Sequence, residues 1–405
     1  MYSEWRSSWS TGLTASTLAC SVPVLIISQS AIQNNLNTFE ISSWIFGSYL
    51  MAGVLGLIFS IYFKLPICGS PSVPAAVFLG TALNGLSINE AAALYLLSGL
   101  LVILIGFTKI FKYILKLIPY EVVMAMTAGL IFQYMFQIYR GFSFNFLLAL
   151  FTVSGFLITK SYFRNIPAML GAIIPSTIAY ILFYGFPRPK FDHIHFLPKI
   201  IKPEFNLEAI LPLLLPMICL ILFTELFQGM ESIHFQGYHT PANQMVTFSG
   251  IAIVLASFLG SHGANTAGAL TTLCSSDEAG EKHQRYRASI IVSILMVLFA
   301  LLSPFLISIV TVIHIEYIFL LTGIAMLPVL AIAMDISFSK SSSFFSVIFT
   351  LSLSMTNTFY LQIHSSFWAI VAGTFIYYVF EKEGKGKLTN CLQILSNKTK
   401  KLRGE

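Results

Sequence analysis

The chain has 405 residues, of which 56% are hydrophobic and only 10% are charged. A water-soluble core of this size cannot hold so much apolar surface, so the composition excludes a soluble protein and indicates a polytopic membrane protein. The net charge of +6 comes from basic loops and a basic tail, which membrane topology explains without a nucleic acid partner.

Fourteen apolar segments, interrupted by Gly, Pro or charged residues, follow one another along the chain. They cover residues 11–32, 42–63, 73–84, 90–108, 118–138, 142–160, 166–185, 208–228, 245–259, 264–275, 287–312, 316–334, 342–361 and 366–381. At roughly 20 residues per helical crossing, they predict an all-α membrane fold of about fourteen transmembrane segments. The third and tenth segments are unusually short.

The segments divide into two sets of seven. We predict a first seven-segment repeat over 1–186, an outer connecting loop over 187–206, a second repeat over 207–384 and a basic cytoplasmic tail over 385–405. Placing both termini in the cytoplasm puts most Lys and Arg residues on that side, as the positive-inside rule requires. The basic loop over 187–206 is the exception, and the segment boundaries around it stay open.

The two short segments occupy equivalent places in the two sets. Segment three opens with "LPICGSPSVPAAVFLG" and segment ten with "LGSHGANTAGALTT". Such Gly- and Pro-interrupted pairs are typical of inverted-repeat transporters, because irregular backbone at membrane depth must line protein or a cavity. The helix starts leave free N–H groups that suit an anion. We therefore predict substrate contacts near Val73–Ala76 and Gly263–Thr266, and specifically at Val73, Ala75 and Ala264.

A carboxyl group also falls inside the eighth segment, in "LFTELFQGMESIHF". Ionising a carboxyl group at membrane depth is costly, so Glu225 is predicted to face a cavity and to take up and release a proton. Gln228 lies three residues further on and shares its helix face. The alternative is that Glu225 is a structural acid, satisfied by a neighbouring hydroxyl or amide.

His262 and Asn265 stand at the start of the tenth segment. If the helix has already begun there, their spacing of three places them on one face. Asn265 can donate and accept hydrogen bonds, which suits either substrate orientation or a cap on the broken helix. For His262, a substrate contact and a satisfied core residue remain open alternatives.

The run "GSHGANTAGALTTLCSSDEAGEKHQRYRASI", residues 260–290, resembles the benzoate/proton symporter family. Weaker similarity runs through residues 85–119 and 237–258. The resemblance implies the seven-plus-seven inverted-repeat fold shared with nucleobase and sulfate-type anion transporters. It also implies a core domain from segments 1–4 and 8–11, a gate domain from segments 5–7 and 12–14, and substrate between half-helices three and ten. His262 and Asn265 fall on the family's His and Asn positions.

The eighth segment departs from the family pattern. The benzoate-type pattern resembles Ser-Gln-Asn-x-Pro-Gly, whereas this chain has Glu225 in place of the glutamine. A glutamate here is similar to the nucleobase branch of the fold. Because an ionised Glu225 would repel a carboxylate, either the residue is protonated when substrate binds or the substrate is not benzoate-like.

The sequence therefore predicts a proton-coupled symporter of a small aromatic or planar organic acid in the bacterial cytoplasmic membrane. Its partners would be the organic anion, a proton and the lipid bilayer, and a homodimer is left open. A nucleobase-like permease and a passive anion channel are the alternatives. Neither a catalytic motif nor metal-type cysteine spacing is present in the sequence, so the chain is predicted to be no enzyme and to need no cofactor or metal.

Overall fold

The computed structural model describes residues 2–83, 85–163, 167–189, 198–356, 358–361 and 363–382. The predicted basic tail over 385–405 lies outside these residues, as does part of the predicted connecting loop. The described chain is almost entirely helical, as the sequence predicts.

The first half of the chain contains one short strand and eight of the helices in the described residues. They are α1 (Tyr2–Gln33), α2 (Thr38–Leu57), β1 (Gly69–Pro71), α3 (Val73–Ala82), α4 (Ile88–Thr108), α5 (Phe111–Leu117), α6 (Tyr120–Phe144), α7 (Phe146–Tyr162) and α8 (Ala168–Tyr184). A π-helical turn, Ile58–Tyr62, continues α2.

The second half contains nine further helices and three short strands among the described residues. They are α9 (Leu207–Phe223), α10 (Glu225–Phe235), α11 (Ala242–Ser257), β2 (Ala264–Thr266), α12 (Gly268–Ser275), α13 (Tyr286–Leu301), α14 (Ser303–Val310), α15 (Ile315–Ser337), α16 (Phe344–Thr356), β3 (Phe359–Tyr360), β4 (Ile363–His364) and α17 (Ser365–Ile376). Single turns of 3₁₀-helix follow α12 and α15, and a π-helical turn follows α17.

Each of the fourteen predicted segments contains a helix or a consecutive pair of helices, but the tenth also includes the strand β2 and the thirteenth extends into β3. Within the described residues, seven helical stretches are long and apolar enough to cross a membrane. The third and tenth segments are short, as predicted: α3 has 10 residues and α12 has 8. The eighth segment is longer than predicted and is broken at Thr224, whose backbone leaves the helical region at φ −93° and ψ −107°.

Helix packing relates the two halves to each other. The second helix of the first half, α2, packs along α13, and α4 packs along α11. In the first set α2 is the second segment and α4 the fourth; in the second set α11 is the second and α13 the fourth. Each contact therefore joins a second segment of one half to a fourth segment of the other half. Within each half, the first segment also packs against the third: α1 against α3 in the first half, and α10 against α12 in the second. This pattern is that of an inverted repeat.

The two broken segments cross through an antiparallel strand pair. Gly69 of β1 lies opposite Thr266 of β2, and Pro71 lies opposite Ala264. The Ala267 N–H also donates to the Cys68 carbonyl at 2.7 Å. These bonds satisfy backbone groups that no helix satisfies, so α3 and α12 can both begin inside the protein.

The described end of the connecting loop forms polar contacts with the starts of α2 and α4. Lys199 Nζ lies 2.9 Å from a carboxylate oxygen of Glu40, in the first turn of α2. Asn206 donates to Glu90, in the first turn of α4, at 2.8 Å. A basic residue in this loop is thus neutralised locally, which accounts for part of its departure from the charge rule.

Candidate functional site

A cavity of about 380 Å³ lies between the two broken segments and the paired helices α6 and α15. Its wall is mostly apolar. From the side of α1, α3, α10 and α12 it is lined by Thr14, Leu18, Ala19, Val22, Pro23, Ser70, Val73, Pro74, Thr224, Glu225, Gln228, Ala267, Gly268, Ala269, Leu270 and Leu273. From the opposite side it is lined by Met124, Thr127, Phe156, Pro167, Ala168, Met169, Ala325, Pro328, Val329, Ile332 and Ala333.

Glu225 joins the two repeats at this cavity. It is the first residue of α10, directly after the break at Thr224. Its Oε1 accepts a hydrogen bond at 3.1 Å from the N–H of Val73, the first residue of α3. The break in α10 and the start of α3 thus place a carboxyl group on one of the free N–H donors that a helix start provides. The second oxygen, Oε2, is buried and has no hydrogen-bond partner among the described residues.

Gln228 lies one turn along α10 on the same face and also lines the cavity. It packs against Gly268, the first residue of α12. A Cβ added to this glycine would lie 2.6 Å from Gln228 Oε1. The glycine therefore lets the amide of Gln228 lie directly against the start of the second half-helix.

His262 lies behind the cavity rather than in its wall. The indole N–H of Trp44 donates to His262 Nδ1 at 2.7 Å. Because Nδ1 accepts this bond, Nε2 carries the ring proton and donates to the Ser72 carbonyl at 3.1 Å. Ser72 is the residue immediately before α3. The histidine of the second repeat thus holds the start of the half-helix of the first repeat.

Asn265 and Ala264 belong to β2 and do not line the cavity. The helix has not yet begun at this point, so His262 and Asn265 do not share a helix face. Asn265 lies opposite Ser70 in the strand pair, and its side-chain amide is buried without a hydrogen-bond partner among the described residues. Ala75, in the first turn of α3, is fully buried and also lies outside the cavity wall.

The structure therefore brings Val73, Glu225 and Gln228 together at the cavity and leaves His262, Asn265, Ala264 and Ala75 outside its wall. The apolar wall from α6 and α15, which includes Met124 and Val329, was not predicted. These helices are apolar along most of their length, so the sequence contains no signal for the face that meets the cavity. An interior proline, Pro328, is the one feature there that marks an irregular helix.

The profile of a family described as "Benzoate membrane transport protein" matches residues 5–379. The chain is 27% identical over 373 residues to the benzoate membrane transport protein of Acinetobacter baylyi, covering 92% of this chain and 94% of the relative. It is 24% identical over 369 residues to the inner membrane protein YdcO of Escherichia coli, covering 91% and 94% respectively.

Solved structures share the fold. The transmembrane domain of a cyanobacterial bicarbonate transporter, BicA, superposes with a TM-score of 0.64 at 16% identity, covering 93% of this chain and 98% of that one. A murine anion transporter, Solute Carrier 26 family member A9 in an inward-facing state, superposes with a TM-score of 0.58 at 14% identity, covering 91% and 67%.

Proposed function

The chain belongs to the benzoate membrane transport protein family, and we propose that it is a proton-coupled symporter of a small aromatic carboxylate such as benzoate. It is a membrane transporter rather than an enzyme, and its Escherichia coli relative is an inner membrane protein. In the proposal both termini are cytoplasmic.

The observation that carries the proposal is the position of Glu225. Its carboxyl group meets the start of α3 in a cavity whose wall is otherwise mostly apolar. The apolar wall suits an aromatic ring, and the volume falls within the roughly 300–1,000 Å³ of small-molecule sites. The N–H groups at the start of α12 suit the carboxylate, and at the start of α3 the substrate would compete with Glu225 for the Val73 N–H. Val73, Glu225 and Gln228 are thus proposed to contact the substrate.

Coupling follows from charge. Two like charges about 4 Å apart repel by about 4 kcal/mol at an effective dielectric constant of about 20, which is roughly a thousandfold in affinity. A carboxylate would therefore bind beside Glu225 only when this residue is protonated. A protonated Glu225 can also donate a hydrogen bond to the substrate. One proton would accompany each anion, which defines a symporter.

The domains keep their predicted assignment in this proposal. Segments 1–4 and 8–11 form the core domain and carry Glu225, whereas segments 5–7 and 12–14 form the gate domain and supply the apolar wall. The cavity lies where the two sets meet. Movement of the core against the gate would carry the bound anion and its proton from one face of the membrane to the other.

A nucleobase-like permease is the second candidate. Glu225 and Gln228 lie one turn apart in the cavity and together offer acceptors and a donor, the pattern that the edge of a planar heterocycle requires. A passive anion channel is the third candidate. It needs no proton and predicts no accumulation against a gradient.

Uptake into proteoliposomes separates the three candidates. Labelled benzoate and labelled uracil are supplied with an inward proton gradient, without one, and with the gradient collapsed by a protonophore. The proposal predicts that the gradient drives benzoate uptake faster than in protein-free liposomes, which neutral benzoic acid enters by diffusion, and that uracil does not accumulate. Uracil accumulation would favour the permease. Benzoate entry that equilibrates at the same rate with or without the gradient would favour the channel, and transport of neither compound would reject both substrate classes.

A further inference from the structure

The cavity lies at one end of the surface where α6 meets α1 and α3, and the other end of this surface is closed. Met124 and Thr127, near the start of α6, line the cavity. Two turns beyond Thr127 on the same stripe, Tyr134 is buried against α1 and α3. One helix therefore forms the cavity wall at its beginning and a tight contact further along.

The tight contact consists of hydrogen bonds between uncharged groups. Ser30 Oγ donates to the Ala76 carbonyl at 2.8 Å, so it accepts from Tyr134 Oη, which lies 3.1 Å away. Tyr134 Oη also lies 3.4 Å from the Val77 carbonyl. The phenol group thus bridges α6 to both α1 and α3.

A second bond lies beside the first. Gln29 Nε2 of α1 donates to Gln137 Oε1 of α6 at 2.6 Å. Gln137 is three residues after Tyr134, and Gln29 directly precedes Ser30, so both bonds cross the same boundary between helices. We call Gln29, Ser30, Tyr134 and Gln137 the latch.

Gly80 of α3 makes room for the latch. A Cβ at this position would lie 2.6 Å from Tyr134 Oη and 2.9 Å from Ser30 Oγ. Any larger residue would push α6 away from α3. The close approach of the two helices therefore depends on an absent side chain as well as on the bonds.

We propose that the latch is the closed gate of the transport site, on the face of the protein opposite the cavity, and that it opens in every transport cycle. This inference rests on the proposed function, because a transporter must expose its site to each side in turn. Water replaces uncharged hydrogen bonds at little net cost when they break, so these contacts suit a gate that opens and closes repeatedly. In the predicted topology the latch faces the outside.

A reversible cross-link tests the need for opening. In a background with all five cysteines replaced by serine, Gln29→Cys and Gln137→Cys are joined by a short bis-methanethiosulfonate reagent. Benzoate binding in detergent should persist, uptake should fall at least about tenfold, and reduction should restore uptake. Each single-cysteine variant treated with the reagent is the control. Unchanged uptake by the cross-linked protein would overturn the proposal.

A second measurement needs no substrate, so it stands even if benzoate is the wrong ligand. Spin labels at Gln33→Cys and Tyr139→Cys, on exposed positions beyond the latch, report the separation of α1 and α6. Tyr134→Phe should add a longer-distance population, increased about threefold to tenfold by loss of the hydroxyl bond. Gly80→Ala should act in the same direction by steric exclusion.

Tyr162→Phe is the matched control, because this tyrosine is 79% exposed at the end of α7. Its distance distribution should equal that of the labelled parent. If Tyr134→Phe and Gly80→Ala also leave the distribution unchanged, the latch is not a gate. Failure of benzoate to bind the parent, together with a shifted distribution in the latch variants, would reject the substrate but retain the latch.

Discussion

The two half-helices, α3 and α12, begin alike but have different surroundings. Each follows a three-residue strand of the same pair. In α3, residues 73–80 are all buried, and the latch covers the side that faces α6. In α12, Ala269 and Thr272 are exposed, and Ala269 and Leu273 line the cavity. In the proposed function, this difference would correspond to a site that is closed on the side of α3 and reached from the side of α12.

Glu225 lies between the two half-helices, and replacing it should have the largest effect. For the parent, the proposed coupling predicts that benzoate affinity falls about tenfold per pH unit above the pH at which Glu225 ionises, because the anion binds with one proton. In Glu225→Gln the side chain is always neutral, so affinity should become independent of pH. Gradient-driven accumulation should be lost while benzoate exchange continues.

Binding titrations and uptake at several pH values check this prediction. Glu231→Gln is the control, since Glu231 lies on the same helix but is exposed. It should keep the pH slope of the parent. Accumulation of benzoate by Glu225→Gln at the parent's rate would remove Glu225 from the coupling mechanism.

The strand that precedes α3 should be the least tolerant of added volume. A Cβ at Gly69 would overlap the carbonyl of Ala52, which belongs to the backbone of α2 and cannot rotate away. Gly69→Ala should therefore lower the free energy of unfolding by about 3 kcal/mol, at the upper end for overpacking. Thermal unfolding in detergent measures this change. A midpoint equal to that of the parent would show that the backbone of β1 lies further from the Ala52 carbonyl of α2 than the structure has it.

Loss of the His262 side chain, which holds the start of α3, should have a smaller effect than Gly69→Ala. His262→Phe removes the bond to the Ser72 carbonyl and leaves the Trp44 N–H without its acceptor. Unpaired buried groups cost about 1–3 kcal/mol each in folding stability. Only the part of this cost that displaces the start of α3 reaches the cavity, so benzoate affinity should fall roughly tenfold. His262→Gln, which can both donate and accept, should recover part of the affinity. A larger loss in His262→Gln than in His262→Phe would indicate that ring shape matters rather than hydrogen bonding.

The start of α12 should tolerate an added methyl group better than the strand before α3 does. In Gly268→Ala the added Cβ meets the end of the Gln228 side chain at 2.6 Å and its Cβ at 2.7 Å. The amide end can rotate away, whereas the Gln228 Cβ requires a small shift between α10 and α12, so the free energy of unfolding should fall by about 1–2 kcal/mol. Benzoate affinity should fall a few-fold as Gln228 is displaced. A stability loss as large as that of Gly69→Ala would contradict the difference between the two half-helices.

The sequence by itself determined the class of the protein and the outline of its fold. Its apolar segments predicted the helices, and the paired Gly- and Pro-rich interruptions predicted α3 and α12, because spacing and residue type act locally along the chain. The family resemblance carried by residues 260–290 agrees with the match over residues 5–379. Glu225 stood out because a carboxyl group inside an apolar segment needs a partner.

Only the tertiary structure decided how these parts meet. The break at Thr224, the bond from Val73 to Glu225, the orientation of His262 towards Trp44 and the latch around Tyr134 all join residues far apart in the chain. A tyrosine or glutamine in a mostly apolar helix such as α6 has many candidate partners, and the sequence does not say which neighbouring helix it meets. Packing selects one of them, and in the proposed mechanism this selection closes one side of the site.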